Sequence, residues 1–298
     1  SLIPDQNPNN SMFANWDIKN NDFPQLAGAT KWTSMIAEFT NPGELESHPN
    51  NVDMNVRNTN GILSGFLMDN NQPKLRLVGE SYAVIHTQPF KAPIDDNDNW
   101  SKLGFSFSVA FKTDPHPFSD RAVFSCGDFT SNGEFSQGLR VTLEEAVWTY
   151  LDGNIQETIS CKLQQDVLNI VDFVADIDNS EIKIFVNGIL NVAREIKSSY
   201  RWQTNSEIYI ACDNINGTIT NFADVNIYNI KLFRRALNDK QLVINALNTK
   251  AKANLLHDGT VDYSEYNTWK ARNFFFFFFN NYTNLLWDDF VNGGTYAN

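Results

Sequence analysis

The run Asp176-Ile-Asp178-Asn-Ser-Glu181 places three carboxylates within a short stretch. Carboxylates that alternate along a strand share a face, and two at a fixed separation can cleave a glycosidic bond, one as nucleophile and one as acid. Here Asn179-Ser180 is a turn signal. Asp178 and Glu181 are therefore expected on facing strands, and a hairpin tip cannot aim both ends of the run into a cleft. The histidines His48, His86, His116 and His257 join no nucleophile. Two precede proline, as His48-Pro49 and His116-Pro117, and His86 ends a strand. Neither Gly-x-Ser-x-Gly nor His-Glu-x-x-His occurs. The chain reads as a non-enzyme.

Two other groups of side chains could bind. Asp95-Asp96-Asn97-Asp98-Asn99 offers hard oxygen ligands of the kind calcium prefers, although it lacks the glycine and distal glutamate of an EF-hand loop. Asp213, followed by Asn214 and Asn216, is a comparable loop candidate. The plainer reading of both is a solvated acidic turn, and calcium is the one cofactor they suggest. The aromatics are the second group. Trp148 and Tyr150 share one parity of a strand, with Asp152 after them, and Tyr200 and Trp202 lie in a loop. Aromatic rings stack on the apolar faces of sugars while Asp and Asn bond hydroxyls, so these five residues could line a glycan groove. Alternatively Trp148 and Tyr150 face a second layer or an oligomer interface.

Composition narrows the partners. The net charge is −12, and the locally positive pairs Lys74/Arg76 and Arg234/Arg235 read as solvated faces, so nucleic acid is not an expected partner. No apolar run approaches the roughly 18 residues that span a bilayer. Cys126 and Cys212 sit on the apolar parity of their strands and read as buried free thiols; with Cys161 they are an odd set without metal-ligand spacing, which favours assembly in a reducing cytosol. Four Asn-x-Ser/Thr matches, at Asn9, Asn99, Asn216 and Asn281, are expected by chance in so Asn-rich a chain.

Positioning these residues requires strands. Phe105 to Phe111 alternates without a fault. Leu75 to Val78, Tyr82 to Ile85, Arg121 to Cys126, Gly138 to Leu143 and Ala146 to Leu151 continue the pattern. Val171 to Ile177 alternates up to the Asn179-Ser180 turn, and Glu181 to Val186 follows. Asn187-Gly188 then supplies the φ > 0 pair of a type I′ hairpin. Ile189 to Ile196 completes a meander with one face buried. Glu207 to Cys212 and the long strand Ala223 to Phe233 come next. Asn238 and Gln241 then have the spacing of a capping box at the start of a short helix, which Lys250 to Leu256 extends.

Ile184-Phe185-Val186-Asn187-Gly188, Val225 to Phe233, and Arg235-Ala236-Leu237 with Leu242 resemble the closing hairpin, strand and helix of laminin-G-like, concanavalin A-like jelly rolls. The resemblance implies an all-β fold: an antiparallel β-sandwich with one short C-terminal helix and extended termini. It leaves function open, because such folds serve as glycan binders, enzymes, toxin modules and structural subunits. The acidic run is also similar in spacing to the Glu-x-Asp-x-x-Glu strand of jelly-roll glycosidases, which keeps a glycoside hydrolase as the rival reading.

The expected organisation is an N-terminal arm with the first strand or strands over 1–60, the sandwich over 61–256, and a docking tail over 257–298. The arm docks on the domain or a neighbour, or else supplies the first strand and long loops. The tail carries Trp269, the run Phe274 to Phe279, and Trp287, too apolar to leave in water. The frequent Asn and the six-Phe run look like an AT-rich genome, and a chain starting at Ser1 without Met looks like a processed or trimmed piece. The expectation is a non-catalytic recognition or assembly module of a virion, such as a phage tail, fibre or capsid-associated subunit, assembled in the host cytoplasm, or otherwise extracellular. Its partners would be other protein subunits through both termini and a cell-surface glycan. A purely structural virion protein without a ligand is the alternative.

Overall fold

The computed structural model describes residues 12–17, 31–33, 53–57, 65–69, 72–85, 104–113, 121–126, 137–142, 144–152, 155–164, 167–196, 208–215, 217–233 and 235–256. The strands in chain order begin with β1 (Met12–Asp17), β2 (Lys31–Thr33), β3 (Asp53–Arg57), β4 (Gly65–Asp69), β5 (Gln72–Leu77) and β6 (Tyr82–Ile85). The middle of the chain supplies β7 (Phe105–Thr113), β8 (Arg121–Cys126), β9 (Gln137–Val141), β10 (Glu145–Asp152) and β11 (Ile155–Lys162). Then follow β12 (Asn169–Asp176), β13 (Glu181–Val186), β14 (Ile189–Glu195), β15 (Ile208–Ile210), β16 (Asp213–Ile215), β17 (Thr218–Thr220) and β18 (Val225–Phe233). Helix α1 (Asp239–Leu256) closes the described part.

Two antiparallel sheets face each other. The first runs β14-β13-β12-β7-β18-β5-β4, with β1 also paired to β18; the second runs β11-β10-β9-β8-β15-β6-β3-β2. Their inner faces share one core. Phe105, Phe107, Val109 and Phe111 of β7 meet Phe124, Leu139, Trp148 and Tyr150 of the second sheet there. At one side the sheet edges are tied together, as Arg194 of β14 donates to the Thr158 carbonyl of β11.

The outer face of the first sheet is also covered, by α1. Along β12, β7 and β18 both parities are buried, apart from single half-buried residues. The meander was expected to bury one face only; β12 buries both, under the helix, whereas β13 keeps half-buried positions and β14 is largely exposed. Val174, Phe185, Phe233, Leu237 and Leu242 form a second small core between sheet and helix. A bulge in β18 between Ile227 and Asn229 resets its parity. Ile230 and Leu232 thus point into the main core while Asn229, Lys231 and Phe233 face outward.

The helix begins as its sequence demands. Asn238 Oδ1 accepts from Gln241 N–H at 2.9 Å, and Gln241 Oε1 accepts from Asn238 N–H at 3.0 Å, a reciprocal capping box. The β13–β14 turn also forms as read, with φ of 53° at Asn187 and 82° at Gly188. Asn187 Oδ1 accepts from the Ile170 N–H at 2.9 Å. A Cβ on Gly188 would lie 3.2 Å from Ala246 Cβ and 3.3 Å from Val243 Cα of α1. Gly188→Val should therefore cost about 2 kcal/mol, from the β-branched residue at φ > 0 and the crowded helix. A urea midpoint unchanged from wild type would contradict that placement of α1.

The N-terminal residues do more than dock. β1 pairs with β18 in the first sheet, while β2 and β3 extend the second beyond β6. Trp16 is fully buried in the main core. The tail 257–298 lies outside the described residues.

Candidate functional site

A cleft of about 610 Å³ opens at one end of the sandwich, where the β12–β13 turn meets the start of α1. Asp176, Asp178, Asn179 and Lys183 line one wall; Arg235 to Lys240 line the other. The first wall is rigid because the turn hydrogen-bonds itself. Asp176 accepts from the Asn179 N–H at 3.2 Å and from Asn179 Nδ2 at 2.8 Å. The Ser180 carbonyl accepts from the Ile196 N–H at 2.8 Å. Lys183 Nζ lies 3.7 Å from Asp176 Oδ2 and 3.4 Å from Glu181 Oε2.

The second wall is fixed from below. Ser106 Oγ of β7 donates to the Arg235 carbonyl at 2.8 Å and accepts from the Leu237 N–H at 2.9 Å. Gly104 permits this approach: it has φ +86°, and a Cβ there would lie 2.5 Å from the Ala175 carbonyl oxygen and 3.1 Å from Ala236 Cβ. The cleft therefore presents three carboxylates (Asp176, Asp178, Asp239) and three cations (Lys183, Arg235, Lys240) on fixed backbone, with Ala236 as apolar surface. Such a lining can bond hydroxyl, amide or ionic groups. The acidic run does not form a row along one strand. Asp176 and Glu181 are cross-strand partners, and Asp178 sits in the turn between them.

The aromatic groove is not where the sequence put it. Trp148 and Tyr150 are each 1 % exposed, on the core side of β10. Trp148 stacks on Phe173 with ring centroids 3.8 Å apart and planes 6° apart, so a sugar cannot reach either face. The second-layer alternative holds for both residues. Asp152 ends β10 opposite Ile155. Tyr200 and Trp202 lie outside the described residues, as do Asp95, Asp96 and Asp98.

Asp213 is fully buried, and its carboxylate is already engaged. Arg140 Nη2 lies 2.8 Å from its Oδ2, Arg140 Nη1 donates to Oδ1 at 2.9 Å, and Asn221 Nδ2 donates to Oδ2 at 2.9 Å. A guanidinium holds this carboxylate bidentately where a calcium ion would have to bind, which corrects the expectation of a ligand there. Among the described residues no group of three or more His, Cys, Asp or Glu is placed to hold a metal. Cys212 is a buried free thiol, as its strand parity implied, and Cys161 is one as well. Burial, helped by Glu145, pushes the Cys161 thiol up to about 11, and burial beside Asp213 pushes Cys212 up as well.

One polar cluster was not anticipated. Under α1, Asp172 (β12), Ser108 (β7) and Lys231 (β18) lie in one cross-strand row. All three are buried. Asn245 Nδ2 donates to Ser108 Oγ at 2.9 Å and to Asp172 Oδ1 at 3.3 Å. Lys231 Nζ donates to Asn245 Oδ1 at 3.0 Å and to Thr249 Oγ1 at 2.8 Å. Asp172 Oδ2 has no partner. Burial pushes the Asp172 carboxyl up to about 7, against the opposing pull of Ser108, Lys231 and Asn245. The available signal was a charged residue inside each of two apolar runs, Val171-Asp172-Phe173-Val174 and Ile230-Lys231-Leu232-Phe233.

Comparison with known proteins bears on this geometry. A family model described as the concanavalin A-like lectin/glucanases superfamily matches residues 89–243. No curated protein matches the chain. The binding domain of a botulinum neurotoxin (type DC), solved in complex with rat synaptotagmin II, superposes with a TM-score of 0.54 at 12% identity, over 81% of this chain and 52% of that one. The chain thus spans about half the length of that toxin fragment. A carbohydrate-binding module of the Ruminococcus gnavus IT-sialidase bound to α2,3-sialyllactose gives a TM-score of 0.43 at 19% identity, covering 48% of this chain and 83% of that one. A leech intramolecular trans-sialidase gives 0.42 at 18% identity, over 50% and 24%. At 12% identity the likeness to the toxin binding domain is one of fold.

Proposed function

The chain belongs to the concanavalin A-like lectin/glucanases superfamily, and from that premise we propose that it is a non-catalytic recognition module whose ligand is a glycan. The superfamily's name spans sugar binders and sugar-cleaving enzymes, so the choice rests on carboxylates. A glycosidase holds two of them at a fixed separation across the scissile bond, one with a raised pKa. Among the described residues the carboxyl pushed up to about 7 is Asp172, sealed beneath α1 where no substrate reaches it. That observation carries the reading. In the cleft, Asp176 is already tied to Asn179 and flanked by Lys183.

The cleft lies within the usual size range for small-ligand sites, roughly 300–1,000 Å³. Its mixed charges and fixed walls suit the hydroxyls of a sugar, with Ala236 against the apolar C–H face. The toxin fragment of the same fold is itself a binding domain solved in complex with rat synaptotagmin II, which supports recognition as a use of this architecture. The proposed setting is a large assembly, a phage or viral particle. The support is the Asn-rich composition with its six-Phe run, and subunit contacts would be carried by 257–298.

The test is a glycan array probed with the full chain, followed by assay of reducing ends on every glycan that binds. Lys183→Ala should weaken binding roughly tenfold or more, as expected when a charged hydrogen-bond donor is lost. No reducing ends should appear. Release of new reducing ends that disappears in Asp176→Asn would make the chain a glycosidase. Binding unchanged in Lys183→Ala would move the site elsewhere, and no binding at all would leave a purely structural subunit.

A further inference from the structure

The Asp172 cluster has no part in the cleft, yet it joins α1 to three strands at once. Asn245 and Thr249 of the helix reach down to Ser108 of β7, Asp172 of β12 and Lys231 of β18. Around it the seat is apolar: Ala110, Ile170 and Ala246 to one side, Val174, Phe185 and Leu242 to the other. Polar groups in such a place hold two layers together only while every one of them is satisfied. One is not, since Asp172 Oδ2 receives no donor. As an anion this carboxyl is a fully buried charge with one oxygen bare; as a neutral acid it costs far less there.

We propose that Asp172 is a proton-operated latch on helix α1: the neutral carboxyl keeps the helix seated on the sheet, and ionisation loosens it. The groups that face it from the packed elements are Ser108 from β7, Lys231 from β18, and Asn245 from α1. Lys231 is the one charge among them. It favours the anion, and two of its donors go to Asn245 and Thr249, but its pull is smaller than the cost of burial. The first turn of the same helix supplies Asn238, Asp239 and Lys240 to the cleft wall, so the latch also sets whether that wall is in place. The inference goes beyond the glycan reading and stands without it.

The direction of the effect follows from linkage. In the seated state the carboxyl is pushed up to about 7, above its ordinary 3.8. The helix therefore holds most firmly below the ordinary value and loosens as pH climbs. It is weakest once pH has passed about 7.

The experiment is amide hydrogen exchange over α1 in the full chain at pH 5.5 and pH 8.5, corrected for intrinsic exchange rates. In the wild type the opening equilibrium of the helix should rise roughly thirtyfold between the two. In Asp172→Asn, which keeps shape but cannot ionise, the rise should vanish. In Lys231→Met, which removes the opposing charge, the transition should move to higher pH. A wild-type helix with no rise, a rise that persists in Asp172→Asn, or a transition that Lys231→Met leaves in place or lowers would each overturn the latch.

Discussion

Trp148→Ala should unfold the domain rather than blind it to a ligand. The indole lies 1 % exposed at the centre of the intersheet core, flat on Phe173 at 3.8 Å and stacked with Phe107 at 5.5 Å and Phe124 at 6.3 Å. Truncation removes a large apolar volume and leaves a cavity between two rigid sheets that cannot close over it. Such losses run to about 3–5 kcal/mol. That is a large part of the roughly 5–15 kcal/mol that holds a typical domain together. Trp148→Phe should be much milder, about 1–2 kcal/mol, because the ring stack survives. The indole N–H has no acceptor to lose. Urea melts of both variants read the difference. A Trp148→Ala protein with a wild-type midpoint and lost glycan binding would return this residue to the surface.

The second large effect comes from the smallest possible addition. A Cβ on Gly138 of β9 would lie 2.0 Å from the Phe124 carbonyl oxygen and 2.7 Å from Ser125 Cα, both backbone atoms of β8. No rotamer relieves a clash with backbone, so the two strands must part. Gly138→Ala is expected to cost about 3 kcal/mol or more, at the top of the range for overpacking. Gly217→Ala is the control. Its φ is +80° and nothing lies within 4 Å of the added atom, so only left-handed strain remains, about 1–2 kcal/mol. Thermal midpoints for the pair should differ clearly. Equal losses would mean that β8 and β9 are not packed as closely as described.

Local features were legible in the sequence because local chemistry decides them. Asn187-Gly188 requires two positive φ values and has them; Asn238 and Gln241 cap each other across one helical turn. The meander β12-β13-β14 followed from alternation and turn residues alone. Alternation, however, says which residues share a face and not which face is the core. On β10, Trp148 and Tyr150 were placed on one parity, yet the aromatic side proved to be the inside. The serines of β7 mislead in the opposite sense. Ser106 and Ser108 look like a solvent face but are buried, because a helix more than 130 residues later lies on them. Asp172 and Lys231 were hidden for the same reason. Only the registers β12–β7 and β7–β18 together bring them into one row.

The pairing of β1 with β18 reaches into the making of the chain. Met12 is matched to Phe233, more than two hundred residues later, and β18 binds β1 on the same edge that it shares with β5. At roughly 5–20 residues per second, β1 leaves the ribosome some 10–40 seconds before its partner strand exists. The first sheet cannot be completed during synthesis, and β7, which pairs with both β12 and β18, waits as well. A topology so rich in distant pairings folds slowly. The nascent chain therefore carries open strand edges for most of its synthesis, and the period of greatest exposure to misassembly ends only when β18 and the helix behind it emerge.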